Sequence, residues 1–238
     1  IAYAHYFLSS RFAVLNRVLG EIKKLHSGFK PTRVLDFGCG PATGGASVRQ
    51  VYENTEFKYT GVDISQSMID AAKIMTANTV KNTSFYTSSS EIMKHALNTH
   101  ERYDLIIASF SINELPNDPS RRIATQMLFE LLDVGGMLVI VESGNPYGSH
   151  TVRTARQFML DTFNDIDGGG RSSGRVSSTY FDKRDKTESG KVKNEEEEEG
   201  KFEFCCFCVC VLYYSELFIC CIPPRTADHA PYLMHASN

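Results

Sequence analysis

The segment 33-RVLDFGCGPATGGASV-48 contains the residues whose types and spacing point most clearly to a ligand site. A short apolar run leads into Asp36, Gly38 and Gly40 follow, and a stretch with helical character comes next. Glycines in a strand-to-helix turn let a ligand approach the backbone, and the amino end of the following helix can face negative charge. Such turns bind several kinds of nucleotide, so the surrounding residues must identify the ligand.

Two nucleotide-binding patterns do not fit this turn. A Walker loop ends in Gly-Lys-Ser/Thr, and no lysine follows the glycines here. A dinucleotide turn has the pattern G-x-G-x-x-G, which requires a third glycine where this chain has Thr43. A pyrophosphate would also be repelled by the nearby Asp36 carboxylate.

The residues favour S-adenosylmethionine, whose sulfonium and ammonium groups would be complemented by the Asp36 carboxylate. A second acid, Asp63 in 59-YTGVDIS-65, lies 23 residues after Gly40. That spacing is close to the about 20 residues expected for an acid that binds ribose hydroxyls. The sequence therefore predicts a methyl-donor site that includes Asp36, Gly38, Gly40 and Asp63.

The alternative is that both acids only cap turns, with Asp63 capping the helix that begins near Ser65. Cys39 is interpreted as a small residue in a tight turn. No histidine is spaced with a carboxylate or a cysteine as a metal pair, so no metal site is predicted.

The loop 108-ASFSINELPND-118 begins at the end of the fourth predicted strand. In folds of this kind, the reacting methyl group of the donor would face this loop. Ser109 is predicted to contribute to the donor site. Asn113 and Glu114 could be polar catalytic groups, but Asn-Glu-Leu-Pro is equally explained by turn chemistry. The Asn/Asp-Pro-Pro-Tyr/Phe motif of many amino-group methyltransferases is absent, so the catalytic residues remain unassigned.

These residues require a framework of alternating strands and helices. The sequence predicts an amphipathic first helix from Tyr3 to Leu25. Strand-like runs follow at Arg33–Phe37, Phe57–Val62, Thr83–Thr87, Tyr103–Ser109 and Met137–Glu142. Helix-like segments lie at about 44–53, 65–76, 89–98 and 119–132 and from His150 to Phe163. This alternation predicts a Rossmann-like α/β fold with a mostly parallel sheet, helices on both faces and an incomplete set of C-terminal strands.

The composition divides the chain into three parts. Residues 1–166 form the globular domain, and the polar segment 167–201, which ends in five glutamates, is predicted to be a disordered linker. The Cys- and aromatic-rich tail, 202–238, could hold a pair of strands, a poorly structured segment or, least favoured because of Glu216, a membrane span over 204–222. The net charge of −3 gives no general indication of nucleic-acid binding.

Three stretches resemble the methyltransferase-like proteins of the mitochondrial small ribosomal subunit and their bacterial relatives. They are 5-HYFLSSRFAVLNRVLGEIKKLHSGFKPTRVLDFGCGPATG-44, 104-DLIIASFSINELPN-117 and 138-LVIVESGNPYGSHTVRTARQFML-160. The last is the most specific, since a Glu142-x-Gly144-x-Pro146-x-Gly148 turn followed by Ala155-Arg156 is not a general methyltransferase feature. The resemblance covers about residues 3–163.

The resemblance implies a class I methyltransferase fold in which Asp36, Gly38, Gly40 and Asp63 hold S-adenosylmethionine. It implies a role in assembly of the mitochondrial small subunit and in translation, in contact with ribosomal RNA and ribosomal proteins, and a location in the mitochondrial matrix. Because the chain begins at Ile1, we expect a fragment or processed form whose targeting segment is not visible. Methyl transfer itself does not follow, and the alternative is an active soluble methyltransferase that modifies a small molecule or a protein.

The family also implies an iron–sulfur cluster, but its ligands are not found here. In 229-HAPYLMHASN-238 a tyrosine follows Ala230-Pro231 where the family has cysteine, and the six tail cysteines do not have the family's spacing. Contact with RNA would need basic surfaces. The candidates are Arg121-Arg122, Arg153 with Arg156, and the basic side of the first helix, which carries Arg11, Arg17, Lys23 and Lys24.

Overall fold

The computed structural model describes residues 4–167, 207–213, 216–222 and 234–235, with side-chain burial for residues 6–159. A π-helical turn (Ala4–Leu8) continues into α1 (Ser9–Leu25). The other helices are α2 (Thr43–Val51), α3 (Gln66–Thr76), α4 (Ser89–Thr99), α5 (Asp118–Leu131) and α6 (Pro146–Asp167). The strands are β1 (Arg33–Phe37), β2 (Lys58–Val62), β3 (Thr83–Tyr86), β4 (Tyr103–Ser109), β5 (Leu132–Ser143), β6 (Phe207–Tyr213), β7 (Glu216–Ile222) and β8 (Met234–His235).

The strands form one sheet in the order β3-β2-β1-β4-β5-β6-β7-β8. β1 to β5 are parallel, and β6, β7 and β8 each pair antiparallel with the strand before them. The predicted Rossmann-like α/β fold with a mostly parallel sheet is therefore confirmed. The strand order reverses at β1, which has β2 on one side and β4 on the other.

Two apolar cores cover the two faces of the sheet because alternate residues of each strand point in opposite directions. In β1, Val34 belongs to the core formed with α1, α2 and α3, whereas Leu35 belongs to the core formed with α4, α5 and α6. Leu105 and Ile106 of β4 divide in the same way. Burial on both faces explains why these strands are almost continuously apolar in sequence.

β5 begins at Leu132, earlier than the predicted start at Met137. Tyr103 pairs with Leu132 and Leu105 pairs with Met137, so the ladder shifts register between them. Gly135 has a φ of 78°, a conformation in which glycine is unstrained. The glycine pair therefore lies within a strand that has already begun, at the point where the ladder changes register.

The last described helix, α6, also begins earlier than predicted, at Pro146 instead of His150. The Asn145 side chain accepts a hydrogen bond from the Gly148 amide at 2.8 Å, which caps the helix, and proline suits the first helical position because it has no amide to satisfy. The segment that resembles a family-specific turn is therefore a strand end, a cap and a first helical turn.

The structure places β6 and β7 in the Cys- and aromatic-rich tail, in agreement with a pair of strands among the three alternatives. The predicted linker, 167–201, lies outside the described residues apart from its first residue. Among the described residues, no helix combines the length and apolar composition needed to cross a membrane.

Candidate functional site

The predicted donor-site residues lie together at the carboxyl ends of β1, β2 and β4. Asp36 is in β1, the glycine turn follows it, Asp63 comes directly after β2, and Ser109 is the last residue of β4. In open α/β sheets, ligands bind beyond the carboxyl ends of the strands where the strand order reverses. The candidate site therefore occupies the position that the topology favours.

The turn after β1 depends on glycine at Gly38. Its φ is 70°, and a Cβ built there would lie 2.3 Å from the Cβ of Ser111 in the loop after β4. The Ser111 hydroxyl also donates a 2.8 Å hydrogen bond to the carbonyl of Phe37. The glycine turn and the loop after β4 are thus packed directly against each other.

The backbone amides of the turn already have partners within the protein. Gly38 and Cys39 both donate to the carbonyl of Val62, at 2.8 and 2.9 Å. The Gly40 amide donates to Oδ2 of Asp63 at 2.8 Å. A phosphate cradle needs amides that point freely at the ligand, so this arrangement argues against a phosphate group in the turn.

Asp36 lies beneath the turn, with 2% of its surface exposed. Burial raises the pKa of its carboxyl group to about 6 from 3.8, although hydrogen bonds from the Tyr59 hydroxyl (2.7 Å) and the Gly44 amide lower it. A Cβ at Gly44 would lie 2.3 Å from Oδ2 of Asp36, so the contact also requires glycine at that position. Asp36 therefore connects β1, β2 and the amino end of α2, and any influence on a ligand passes through the turn.

Asp63 is half-buried, and its carboxylate makes the contacts expected of a turn cap. Its Oδ1 accepts a 2.8 Å hydrogen bond from the Ser65 amide, as expected for a turn cap, while Oδ2 holds the Gly40 amide. A carboxylate has about four lone-pair sites, so it can accept further hydrogen bonds from a ligand. The turn-capping alternative is thus observed, and it leaves ligand binding open.

Sequence reasoning missed Ile64, which follows Asp63 and is 92% exposed. An apolar side chain beside a half-buried acid at the end of a strand offers a surface on which a flat base can pack. The available signal was the isoleucine in Val-Asp-Ile-Ser, but its exposure became evident only from the fold.

Ser109 ends β4 and is buried, and its hydroxyl has no hydrogen-bond partner among the described residues. A buried, unpaired hydroxyl is unfavourable unless a ligand or water completes it. Phe110, the next residue, has a φ of 56°, and the guanidinium of Arg11 lies 4.8 Å from its ring centroid. The start of α1 therefore lies over the loop after β4, a contact that the sequence did not indicate.

Asn113 is held within the protein in three ways. Its amide donates to Oε1 of Glu142 at 2.9 Å, its side-chain oxygen accepts from the Thr151 hydroxyl at 3.0 Å, and its carbonyl accepts from Arg121 at 3.3 Å. These contacts support the structural interpretation of Asn113 over a catalytic one. Glu114 is exposed.

Glu142 is a buried acid that sequence reasoning did not single out as titratable. Burial raises its pKa to about 7 from 4.5, against hydrogen bonds from the Asn113 and Ile112 amides and the field of Arg11, while Glu114 adds repulsion. Its position at the carboxyl end of β5 explains the burial, because β4 and β6 pair on either side of that strand.

We predict that Glu142 makes the folding stability depend on pH. Because the pKa is higher in the folded state, the protonated form stabilises the fold below about pH 4.5, and this contribution is lost as the pH rises through about 7. The shift corresponds to about 3 kcal/mol. In urea titrations, Glu142→Gln should therefore lose less stability than the parent between these pH values. The exposed Glu53→Gln variant should follow the parent, and parallel profiles for parent and Glu142→Gln would contradict the prediction.

The described residues contain no group of three or more His, Cys, Asp or Glu side chains arranged to hold a metal ion. Burial, together with Asp36 and Asp63, raises the pKa of the Cys39 thiol. The side chains of the tail cysteines lie outside the described part of the chain, so the expectation that the family's cluster ligands are missing from this chain stays a prediction.

Comparison with known proteins gives a family match over the globular domain. Residues 1–168 match the family model described as mitochondrial small ribosomal subunit Rsm22. The human mitochondrial ribosome assembly protein METTL17 is 25% identical over 154 residues, which are 64% of this chain and 33% of that protein. The mitochondrial Rsm22-cox11 tandem protein 2 of Schizosaccharomyces pombe is 28% identical over 173 residues, 67% of this chain and 22% of that protein.

The chain spans a third or less of the length of these relatives. Among solved structures, the plantazolicin methyltransferase BpumL in complex with SAH aligns over 68% of this chain and 60% of its own, at 18% identity and a TM-score of 0.48.

Proposed function

The chain belongs to the Rsm22 family of the mitochondrial small ribosomal subunit, and we propose that it binds S-adenosylmethionine and acts in assembly of that subunit and in translation. We further propose that it contacts small-subunit ribosomal RNA and ribosomal proteins in the mitochondrial matrix. The proposal for the ligand stands on this chain's own residues, and the proposal for the process stands on the family.

The hydrogen bonding of the glycine turn carries the ligand proposal, and Ile64 and Ser109 add support. The turn amides are bonded to Val62 and Asp63, which disfavours a phosphate, while the Asp63 carboxylate keeps capacity for ribose hydroxyls. Ile64 supplies an exposed apolar surface for the adenine, and the buried Ser109 hydroxyl lacks a partner at the end of β4. These features fit a nucleoside ligand, such as S-adenosylmethionine, that places no phosphate in the turn.

In this proposal, the residues at the carboxyl ends of β1, β2 and β4 bind the donor. Asp63 would hold the ribose, Gly38 lets the turn pack against Ser111 of the loop after β4, and Asp36 keeps the turn in place from below. The donor supplies an activated methyl group when bound. The Asn113 amide donates a hydrogen bond to the Glu142 carboxyl group, so these two residues serve to hold the loop after β4. We therefore propose donor binding and do not assign residues to methyl transfer.

The proposal can be tested by incubating the purified full chain with methyl-labelled donor and, in separate reactions, with mitochondrial small-subunit particles or with a metabolite extract. We expect saturable donor binding, co-sedimentation of the chain with the particles, and no label on small metabolites. Transfer of label to a small metabolite, without co-sedimentation, would support the soluble-enzyme alternative and contradict the assembly role.

A further inference from the structure

A cleft between α5 and α6 combines cationic and hydroxyl side chains. Arg121 and Arg122 line it from α5, and Thr151 and Thr154 line it from α6. Asp118 is the one acid among its lining residues. Guanidinium and hydroxyl groups are common partners of phosphate oxygens. The cleft lies on the side of the sheet covered by α4, α5 and α6.

Arg121 is committed to the fold. Its guanidinium is 2.7 Å from Asp118 and donates to the carbonyls of Asn113 and Leu115 at 3.3 and 3.1 Å. It thereby neutralises the acid of the cleft and fixes the loop after β4 to α5. Asp118 also lies 3.6 Å from His150. The acid is therefore not a free negative charge that would repel an anion.

Arg122 is exposed, and it has no ion pair with any described residue. Its guanidinium lies 5.4 Å from the ring centroid of Phe158 on α6. Stacking on an aromatic ring restricts the side chain while leaving the N–H groups at its edge able to donate. A side chain held in this way loses less conformational entropy when it binds a phosphate.

Arg153 and Arg156 extend the positive charge along α6. Arg153 is exposed, and neither arginine pairs with an acid in the described part of the chain. The Nε of Arg156 is buried without a hydrogen-bond partner there. The α5–α6 surface is defined here as the cleft lined by Arg122 together with Arg153 and Arg156, which lie on α6 outside the cleft lining. None of these three arginines has an ion pair among the described residues.

The basic side of α1 differs because its charges are used internally. Arg17 and Lys24 both pair with Glu21, at 3.3 and 3.1 Å. Lys23 donates to the carbonyl of Val51 on α2 at 2.6 Å. A polyanion that binds α1 would have to compete with these contacts, whereas Arg122 and Arg153 have no ion pair with any residue whose side chain the structure describes.

We propose that the α5–α6 surface binds the phosphate backbone of RNA, with Arg122 and Arg153 as the phosphate-contacting residues. This inference rests on the proposed function, which supplies RNA as a component of the small subunit. It separates the four arginines by role: Arg121 holds the loop, Arg122 and Arg153 contact phosphates, and the half-buried Arg156 is not assigned a contact. Contacts of this kind position RNA without reading its sequence.

The test measures binding of the full chain to a fluorescein-labelled fragment of small-subunit ribosomal RNA at several salt concentrations. Arg122→Glu/Arg153→Glu should weaken binding about tenfold or more and reduce the salt slope by about two, because two phosphate contacts are lost. The matched control is Lys30→Glu/Lys94→Glu, which reverses two exposed cations outside this surface. Arg122→Gln/Arg153→Gln removes the charges without adding acids, and it should also weaken binding.

Several outcomes would overturn the inference. If the control weakens binding as much as the test variant, the attraction is a general charge effect. If both arginine variants keep parental affinity, RNA binds elsewhere and the proposed function still stands. If the variants lose only ribosomal-protein contacts, the surface docks protein instead. If the parent binds no RNA fragment, the RNA contact of the proposed function fails as well.

Discussion

Gly38→Ala is expected to lower the free energy of unfolding by about 3 kcal/mol or more, and donor binding should be lost with it. A φ of 70° costs a residue with a Cβ roughly 1–2 kcal/mol. The new Cβ would also lie 2.3 Å from the Ser111 Cβ, so the glycine turn and the loop after β4 must move apart. Overpacking of this kind typically adds about 1–3 kcal/mol. Urea unfolding measures the stability, and calorimetric titration measures donor binding.

The matched control for this prediction is Gly135→Ala. Gly135 has a similar φ of 78°, but a Cβ there meets no atom within 4 Å. The control should therefore show only the conformational cost of roughly 1–2 kcal/mol and should retain donor binding. Equal losses in the two variants would mean that packing of the turn against Ser111 does not matter.

Asp63→Ala should weaken binding of S-adenosylmethionine by roughly ten- to hundredfold. Loss of hydrogen bonds between a carboxylate and the ribose hydroxyls corresponds to about 1.5–3 kcal/mol. The substitution also removes the acceptor of the Gly40 amide, so the turn should lose part of its support. Calorimetric titration gives the affinity, and thermal unfolding shows whether the fold is retained.

Asp70→Ala provides the control for the second prediction. Asp70 is an exposed acid on α3 whose ion pair with Lys73 spans 3.7 Å, so its loss changes the charge equally without touching the site. The control should bind the donor like the parent. If Asp63→Ala also binds like the parent, the ribose assignment is wrong and Asp63 is only a turn cap.

The fold could be predicted from the sequence because its strands are buried on both faces. Val34 and Leu35 are both apolar, although they enter different cores, and such runs are visible without a structure. The early starts of β5 and α6 were missed because they depend on pairing with Tyr103 and on the Asn145 cap. Both are decided by a partner residue and not by local hydrophobic pattern.

The candidate site was only partly predictable. The acids and glycines have a recognisable spacing, but the role of Asp36 depends on Tyr59, which lies in a neighbouring strand. The contact of Arg11 with Phe110 and the exposure of Ile64 likewise come from tertiary placement. Spacing along the chain identifies which residues meet, whereas the surrounding elements decide which of them faces a ligand.

A crystal structure of the chain with S-adenosylhomocysteine would test the central claim most directly. The account predicts the nucleoside at the carboxyl ends of β1 and β2, with the ribose hydroxyls hydrogen-bonded to Asp63 and the adenine against Ile64. A nucleoside bound away from the glycine turn, or saturating ligand with no occupancy there, would contradict it.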